Sequence, residues 1–264
     1  MTMHEAAEVR AASTSSEDGV RISLARGGRG RVLVFCPGLS STQADLQELV
    51  GLLRRDYDVV TFDLRGHGLS SAADRYLFED FLSDLEAVMS HLAPERPLLV
   101  GYSLGADLAV HYASEHPERV GELVLIDGAN PVPEPFVTEE DLPMFRGLWQ
   151  QMADQQTSLR GTARQVLLDA QEILELNIEI DSVRSRILDR YRMIARPITM
   201  IMSTAMAGGS SEGRAAALNQ NWQAGLERLV RDRPQITTFR LDADHGLVLT
   251  HAQQIADIIR STSI

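Results

Sequence analysis

Cysteine, positive charge and long apolar runs are all scarce in this 264-residue chain, and each scarcity removes a class of explanation. Cys36 is the single cysteine, so no internal disulfide can form, and no C-x-x-C pair or clustered Cys/His spacing offers a structural metal site. A cytoplasmic location is the plain expectation. Basic residues number 25 against 37 acidic ones, and the resulting formal charge of -12 repels nucleic-acid phosphates and anionic lipid surfaces. Neither nucleic acid nor membrane is an expected partner; a small-molecule substrate is. Every basic residue is arginine and none is lysine, a bias that carries no functional argument. The opening "MTMHEAAEVRAASTSSEDG" lacks the basic start and apolar stretch of a signal peptide or membrane anchor, so residues 1–18 are expected to form a flexible leader.

What is present fits a globular protein. At 44% hydrophobic and 23% charged, the chain is long enough for one large core with a small subdomain inserted. Strand-like runs recur at 20–25, 31–36, 58–64, 97–103, 122–128, 197–204 and 236–242. Most are continuously apolar, as strands of a sheet covered on both faces should be. Between them, 44–55, 76–92, 104–116 and 251–261 repeat apolar residues at three- and four-residue intervals, which is the spacing of amphipathic helices. Alternation of the two predicts an α/β fold with a doubly wound, mostly parallel sheet.

One interval is too long for an ordinary crossover, the stretch from Gly128 to Pro197. It opens on the proline-rich "NPVPEPF" and continues with three amphipathic patterns, at 139–156, 162–177 and 182–195. The expected organisation is a core at 19–130 and 196–264, with a helical cap inserted at 131–195 over the carboxyl edge of the sheet.

The motif that carries chemistry is "GYSLG" at 101–105, which matches the nucleophile elbow G-x-S-x-G between a strand and a helix. In that turn Ser103 is expected to adopt a strained backbone, and side chains at positions 101 and 105 would collide with the neighbouring strand and helix. The backbone N–H of Leu104, at the helix start, is placed to bind a developing oxyanion. "FCPGLSS" at 35–41 leaves a strand through Pro37 and Gly38, so the N–H of Leu39 is the candidate second donor. A serine that merely caps a helix between incidental glycines is the competing explanation, and the strand-to-helix context disfavours it.

Taken in order, "CPGLSS", "DLRGHGLS", "GYSLGA" and "DADHG" resemble the α/β-hydrolase superfamily over nearly the whole chain outside the cap. The resemblance implies the α/β-hydrolase fold and a serine nucleophile, because the dehalogenase and epoxide hydrolase branches place an aspartate at the elbow. A serine hydroxyl needs a base. His245 in "DADHG", after the last predicted strand, stands where the superfamily carries its catalytic histidine. His67 lies in a turn that is structural in relatives, and His91, His111, His116 and His251 fall on helices. The acid is less regular. After the strand at 197–204, where many relatives carry it, stand Ala205 and Met206, with no carboxylate before Glu212. One strand earlier, Asp127 matches the alternative acid position of polyketide thioesterases, some mycotoxin lactonases and the cofactor-free dioxygenases; Glu212 and Asp244 are the other candidates.

The resemblance therefore implies a serine hydrolase of a carboxylic ester, lactone or thioester, working through an acyl-enzyme and requiring no cofactor or metal. Phe136, Met144, Phe145, Leu148, Trp149 and Met152 in the cap suggest a hydrophobic acyl substrate. Two other classes compete: a cofactor-free dioxygenase, against which Tyr102 stands where those relatives have histidine, and a ligand receptor that binds without turnover. The sequence does not set the oligomeric state.

Overall fold

The apolar runs become strands whose successive side chains serve two different cores. In the computed structural model, which describes residues 9–209 and 212–263, these strands are β1 (Arg10–Ser15), β2 (Arg21–Gly28), β3 (Val32–Cys36), β4 (Asp58–Phe62), β5 (Leu98–Tyr102), β6 (Glu122–Ile126), β7 (Ile198–Ser203) and β8 (Thr237–Leu241). They form one sheet in the order β1-β2-β4-β3-β5-β6-β7-β8. β1 and β2 pair antiparallel, β2 joins β4 antiparallel, and the remaining pairings are parallel. The expected α/β architecture is present, since helices cover both faces.

Alternate strand residues show why the runs are continuous. Leu33, Phe35, Val59, Leu98, Val100, Val124 and Ile126 pack with helices α1 (Gln47–Leu53), α8 (Leu247–Thr250) and α9 (Ala252–Thr262). The intervening Val34, Cys36, Val60, Phe62, Leu99, Leu123 and Leu125 pack on the other face with α2 (Phe78–Leu92), α3 (Leu104–Glu115) and α7 (Gly213–Asp232). Each fully buried aliphatic side chain contributes on the order of 1.5–3 kcal/mol, so the two cores dominate the stability of the body.

Three expectations are corrected. The leader expected at 1–18 contains β1, and residues 1–8 of it lie outside the described residues. Its sequence, RAASTS, is small, polar and exposed, so it carries no apolar period; it is held by backbone pairing from Arg10 against Arg26 to Ser15 against Arg21. The buried guanidinium of Arg65 secures the turn that follows, bonding Asp18 at 2.8 Å and Asp84 of α2 at 2.7 Å.

Between β6 and β7 the helices are α4 (Leu142–Thr157), α5 (Ala170–Ser185) and α6 (Ile187–Met193), so the pattern at 162–177 begins its helix late. Asp169 caps α5 by accepting from the Glu172 N–H, and the Glu172 carboxylate accepts from the Asp169 N–H, which fixes the start at Ala170. The preceding residues instead run along the turn after β4, where Leu167 N–H donates to Gly66 O and Gly68 N–H to Gln165 O, both at 2.8 Å. The third difference is α7, an element absent from the expected set. Its buried Leu218, Trp222, Leu226 and Leu229 follow a helical period, so the signal was in the spacing.

Among the described residues, no helix is long and apolar enough to cross a membrane.

Candidate active site

β5 ends at Tyr102 and α3 begins at Leu104, leaving Ser103 alone at the turn. Its backbone is held at φ 52 and ψ -120, a conformation that costs a non-glycine residue about 1–3 kcal/mol. A Cβ at Gly101 would strike the backbone of Gly105 and Ala106, and one at Gly105 would strike the carbonyls of Cys36 and Pro37. Close backbone approach, as the sequence predicts, explains both glycines. Ser103 N–H donates to Ile126 O at 2.9 Å, which ties the turn to the end of β6.

Beside it stand the two expected partners. His245, in the loop after β8, places Nε2 2.9 Å from Ser103 Oγ and Nδ1 2.8 Å from Asp127 Oδ2. Because the carboxylate can only accept, Nδ1 carries the proton and the Nε2 lone pair faces the hydroxyl. Ser103, His245 and Asp127 thus form one hydrogen-bonded line from three separate strand ends. The loop carrying His245 is held by Tyr102, whose hydroxyl donates to His245 O at 2.7 Å and whose ring lies 5.4 Å from the imidazole. Glu212 and Asp244 are exposed, and Asp244 is occupied with the Gly246 N–H at 2.8 Å.

Asp127 is fully buried, whereas the His245 side chain is 38% exposed, so the line runs from the interior to the solvent. A buried carboxylate must be met by donors. Besides His245, Asp127 accepts from Ser203 N–H at 2.9 Å, from Ser203 Oγ at 2.8 and 2.9 Å to its two oxygens, and from Trp222 Nε1 at 3.0 Å. The sequence did not single out Ser203 or Trp222. One signal pointed toward Ser203: it ends β7, two residues before Ala205, where the acid was sought and not found.

The two residues expected to supply oxyanion donors, Leu104 and Leu39, belong to the elbow helix and to the loop after β3. Leu104 is the first residue of α3, so its N–H has no acceptor within the helix and the helix dipole adds partial positive charge there. Leu39 follows Gly38, where a Cβ would come within 2.9 Å of Ser103 Cβ, so the loop after β3 lies against the elbow. That loop is pinned by His67: Nε2 accepts from Ser40 N–H at 3.1 Å, and Nδ1 donates to Arg65 O at 2.8 Å. Burial pushes His67 down to about 4, keeping it neutral and able to accept. Its structural assignment from the turn motif agrees with this geometry.

The backbone gives an independent signature. Of the six non-glycine residues with positive φ among those described, Ser40, Ser103, Asp127 and Ala129 gather at strand ends around the hydroxyl. This is the carboxyl edge where the sheet order reverses between β3 and β5, the usual place for a ligand in such sheets.

The apolar side chains expected to meet an acyl group, on α4 and at Phe136 before it, do not present one face. Phe145 is buried, Phe136 and Trp149 pack partly against the main core, and Met144 and Leu148 are 48% and 43% exposed. Away from the hydroxyl, Glu86, Glu115 and His116 bring one ligand atom each within 4.8 Å of one another, and Glu115 already pairs with Arg190. Cys36 is buried and its thiol is pushed up by burial, which leaves it inert.

The chain is similar in sequence and in fold to known proteins. The mouse protein ABHD8 is 34% identical over 116 residues, covering 42% of this chain and 26% of that protein. The 2-(acetamidomethylene)succinate hydrolase of Mesorhizobium japonicum is 31% identical over 109 residues, covering 41% of this chain and 39% of the enzyme. The matches thus span well under half the length of these curated relatives. Among solved structures, a thioesterase domain from the curacin biosynthetic pathway superposes with a TM-score of 0.70 at 21% identity, covering 98% of this chain and 100% of that domain. A family model described as the alpha/beta hydrolase fold matches residues 31–233, and with this sheet order and elbow the chain belongs to that family.

Proposed function

We propose that the protein is a serine hydrolase that cleaves a carboxylic ester, lactone or thioester of a hydrophobic small molecule. The observation that carries this is the continuous line from Asp127 Oδ2 through the His245 imidazole to Ser103 Oγ, with contacts of 2.8 and 2.9 Å. The hydrolase and thioesterase names among the similar proteins support the same class.

In this mechanism Ser103 Oγ attacks the acyl carbonyl while His245 Nε2 takes its proton. Asp127 holds the imidazole in the Nδ1–H tautomer and stabilises the imidazolium. The oxyanion forms between the N–H groups of Leu39 and Leu104, and each such donor contributes roughly 10²–10³ in rate. His245 then returns the proton to the leaving alcohol or thiol, which departs as the C–O or C–S bond breaks. Water, deprotonated by the same histidine, attacks the acyl-enzyme and releases the carboxylic acid and Ser103. The helices between β6 and β7 serve as a cap that covers the acyl group. Burial of Asp127 gives the imidazolium a partner that water does not compete for.

Steady-state hydrolysis of p-nitrophenyl esters, aryl lactones and acyl thioesters tests the assignment. One class should turn over repeatedly, with Ser103→Ala lowering kcat by roughly 10⁴-fold or more and Asp127→Asn by roughly 10⁴-fold. Multiple turnover unaffected by Ser103→Ala would sink the mechanism. Ligand binding with a single turnover would establish a receptor instead, and oxygen uptake with a heteroaromatic substrate an oxygenase.

A further inference from the structure

The donors on the far side of Asp127 lead outward to the inserted helices. Trp222 projects from α7, and its indole N–H donates to Asp127 Oδ1 at 3.0 Å, while His245 Nδ1 takes Oδ2. The indole is almost fully buried, at 1% exposure, so water cannot replace this donor. The guanidinium of Arg184, from α5, lies over the same ring with its central carbon 5.6 Å from the ring centroid. A cation on the π face draws electron density from the ring and makes the N–H a stronger donor. Arg184 is itself fixed by Asp107 of the nucleophile helix α3, with contacts of 2.7, 3.0 and 3.2 Å. Phe136 packs edge-on against the indole, its ring centroid 5.6 Å away at an interplanar angle of 74°.

We infer that Trp222 is a positioning residue for the reaction: with Ser203 it fixes the Asp127 carboxylate so that Oδ2 faces His245, and Arg184 braces it from the inserted helices. A carboxylate with one partner can rotate about its Cβ–Cγ bond. Here Oδ1 is bound by Trp222 Nε1 and Ser203 N–H, which leaves the rotamer no freedom. Trp222 thereby acts on the imidazole without touching it or the substrate. The same chain of contacts joins the two helices that matter most to the site, since Asp107 lies one turn beyond Ser103 on α3. These contacts therefore link the seating of α5 to the alignment of the acid.

This inference rests on the triad assignment above, and the test separates the two. Trp222→Phe removes the N–H and keeps an aromatic ring against Phe136 and Arg184. Ser203→Ala removes the hydroxyl and keeps the backbone donor. For the ester class that turns over, Trp222→Phe should lower kcat about ten- to thirtyfold with KM within about twofold, and Ser203→Ala should act in the same direction. The downfield proton resonance of His245 Nδ1 should shift or broaden in both, which a purely structural role for the ring would not cause. If Trp222→Phe does not fold, 3-benzothienylalanine at position 222 keeps the fused ring and lacks only the N–H. Unchanged kcat and an unchanged Nδ1 resonance in the variant that folds would overturn the inference while the triad stands. Retained turnover in Ser103→Ala would instead remove the triad on which it rests.

Discussion

The body and the inserted helices are held by different mixtures of apolar burial and polar contact. In the body, β5, β6 and β7 have every residue buried, and stability comes from apolar area on both faces. In the insertion, α4 buries only Phe145 of its 16 residues, whereas α5 and α6 add Ile173, Leu176, Ile180, Ile187, Leu188 and Tyr191 to the main core and are fastened at discrete polar points as well. Arg184 pairs with Asp107, Arg190 with Glu115, Glu179 accepts from Phe78 N–H at 2.9 Å, and Gln165 donates to Gly68 O at 2.8 Å. Area is forgiving because many contacts share it. A few buried charges are not, because each must find its partner in full.

The contrast is most exposed at Arg184, 11% exposed against an Asp107 that is fully buried. Arg184→Met leaves a buried carboxylate unpaired and should cost about 3–5 kcal/mol in chemical denaturation, whereas Asp107→Leu/Arg184→Met should recover most of that loss. A cost of Arg184→Met below about 1 kcal/mol would mean that apolar area alone seats the insertion.

A smaller effect should come from His111, on the buried face of α3. Its two ring nitrogens lack hydrogen-bond partners among the described residues, and its ring stands 4.8 Å from that of Phe78. Burial pushes His111 down to about 4 from an ordinary 6.5, and His67 shifts likewise. The unfolded chain binds protons on both groups between these values and the folded protein does not. Their contribution to stability is thus intact above 6.5 and is lost as pH falls toward 4. Thermal midpoints should fall across that window. His111→Leu should flatten the fall and stabilise the protein by about 1 kcal/mol at acid pH, since it removes an unmet polar group. An unchanged slope in that variant would show that the imidazole is hydrated or paired in solution.

The smallest effect is expected at Leu148 on α4, 43% exposed. Leu148→Gln should change stability by less than about 0.5 kcal/mol in thermal denaturation. A larger loss would mean that this face of the insertion is covered in solution, which would bring it closer to the body in character.

How much of this was legible in the chain follows the same division. The elbow could be read because backbone proximity at positions 101 and 105 forces glycine, and steric exclusion leaves a mark in residue identity. The strands of the body could be read because burial on both faces selects apolar residues without interruption. β1 could not, since RAASTS is held by its neighbour's backbone rather than by any side chain of its own. Nor could the support of Asp127 be read, because Trp222 lies 95 residues away and a buried tryptophan looks like packing until its N–H is seen to have a destination. The start of α5 shows a finer case: the Asp169 and Glu172 box was present in the sequence, but the apolar period ran past it.

The positive φ shared by Ser40, Ser103, Asp127 and Ala129 has a consequence for the protein's evolution. Each is a place where glycine would sit more comfortably than the residue found there. At Ser103, on the proposed mechanism, heat resistance and turnover therefore pull in opposite directions at one Cα atom. A lineage selected for durability alone would drift toward glycine at the elbow and lose its hydroxyl while its fold grew more robust.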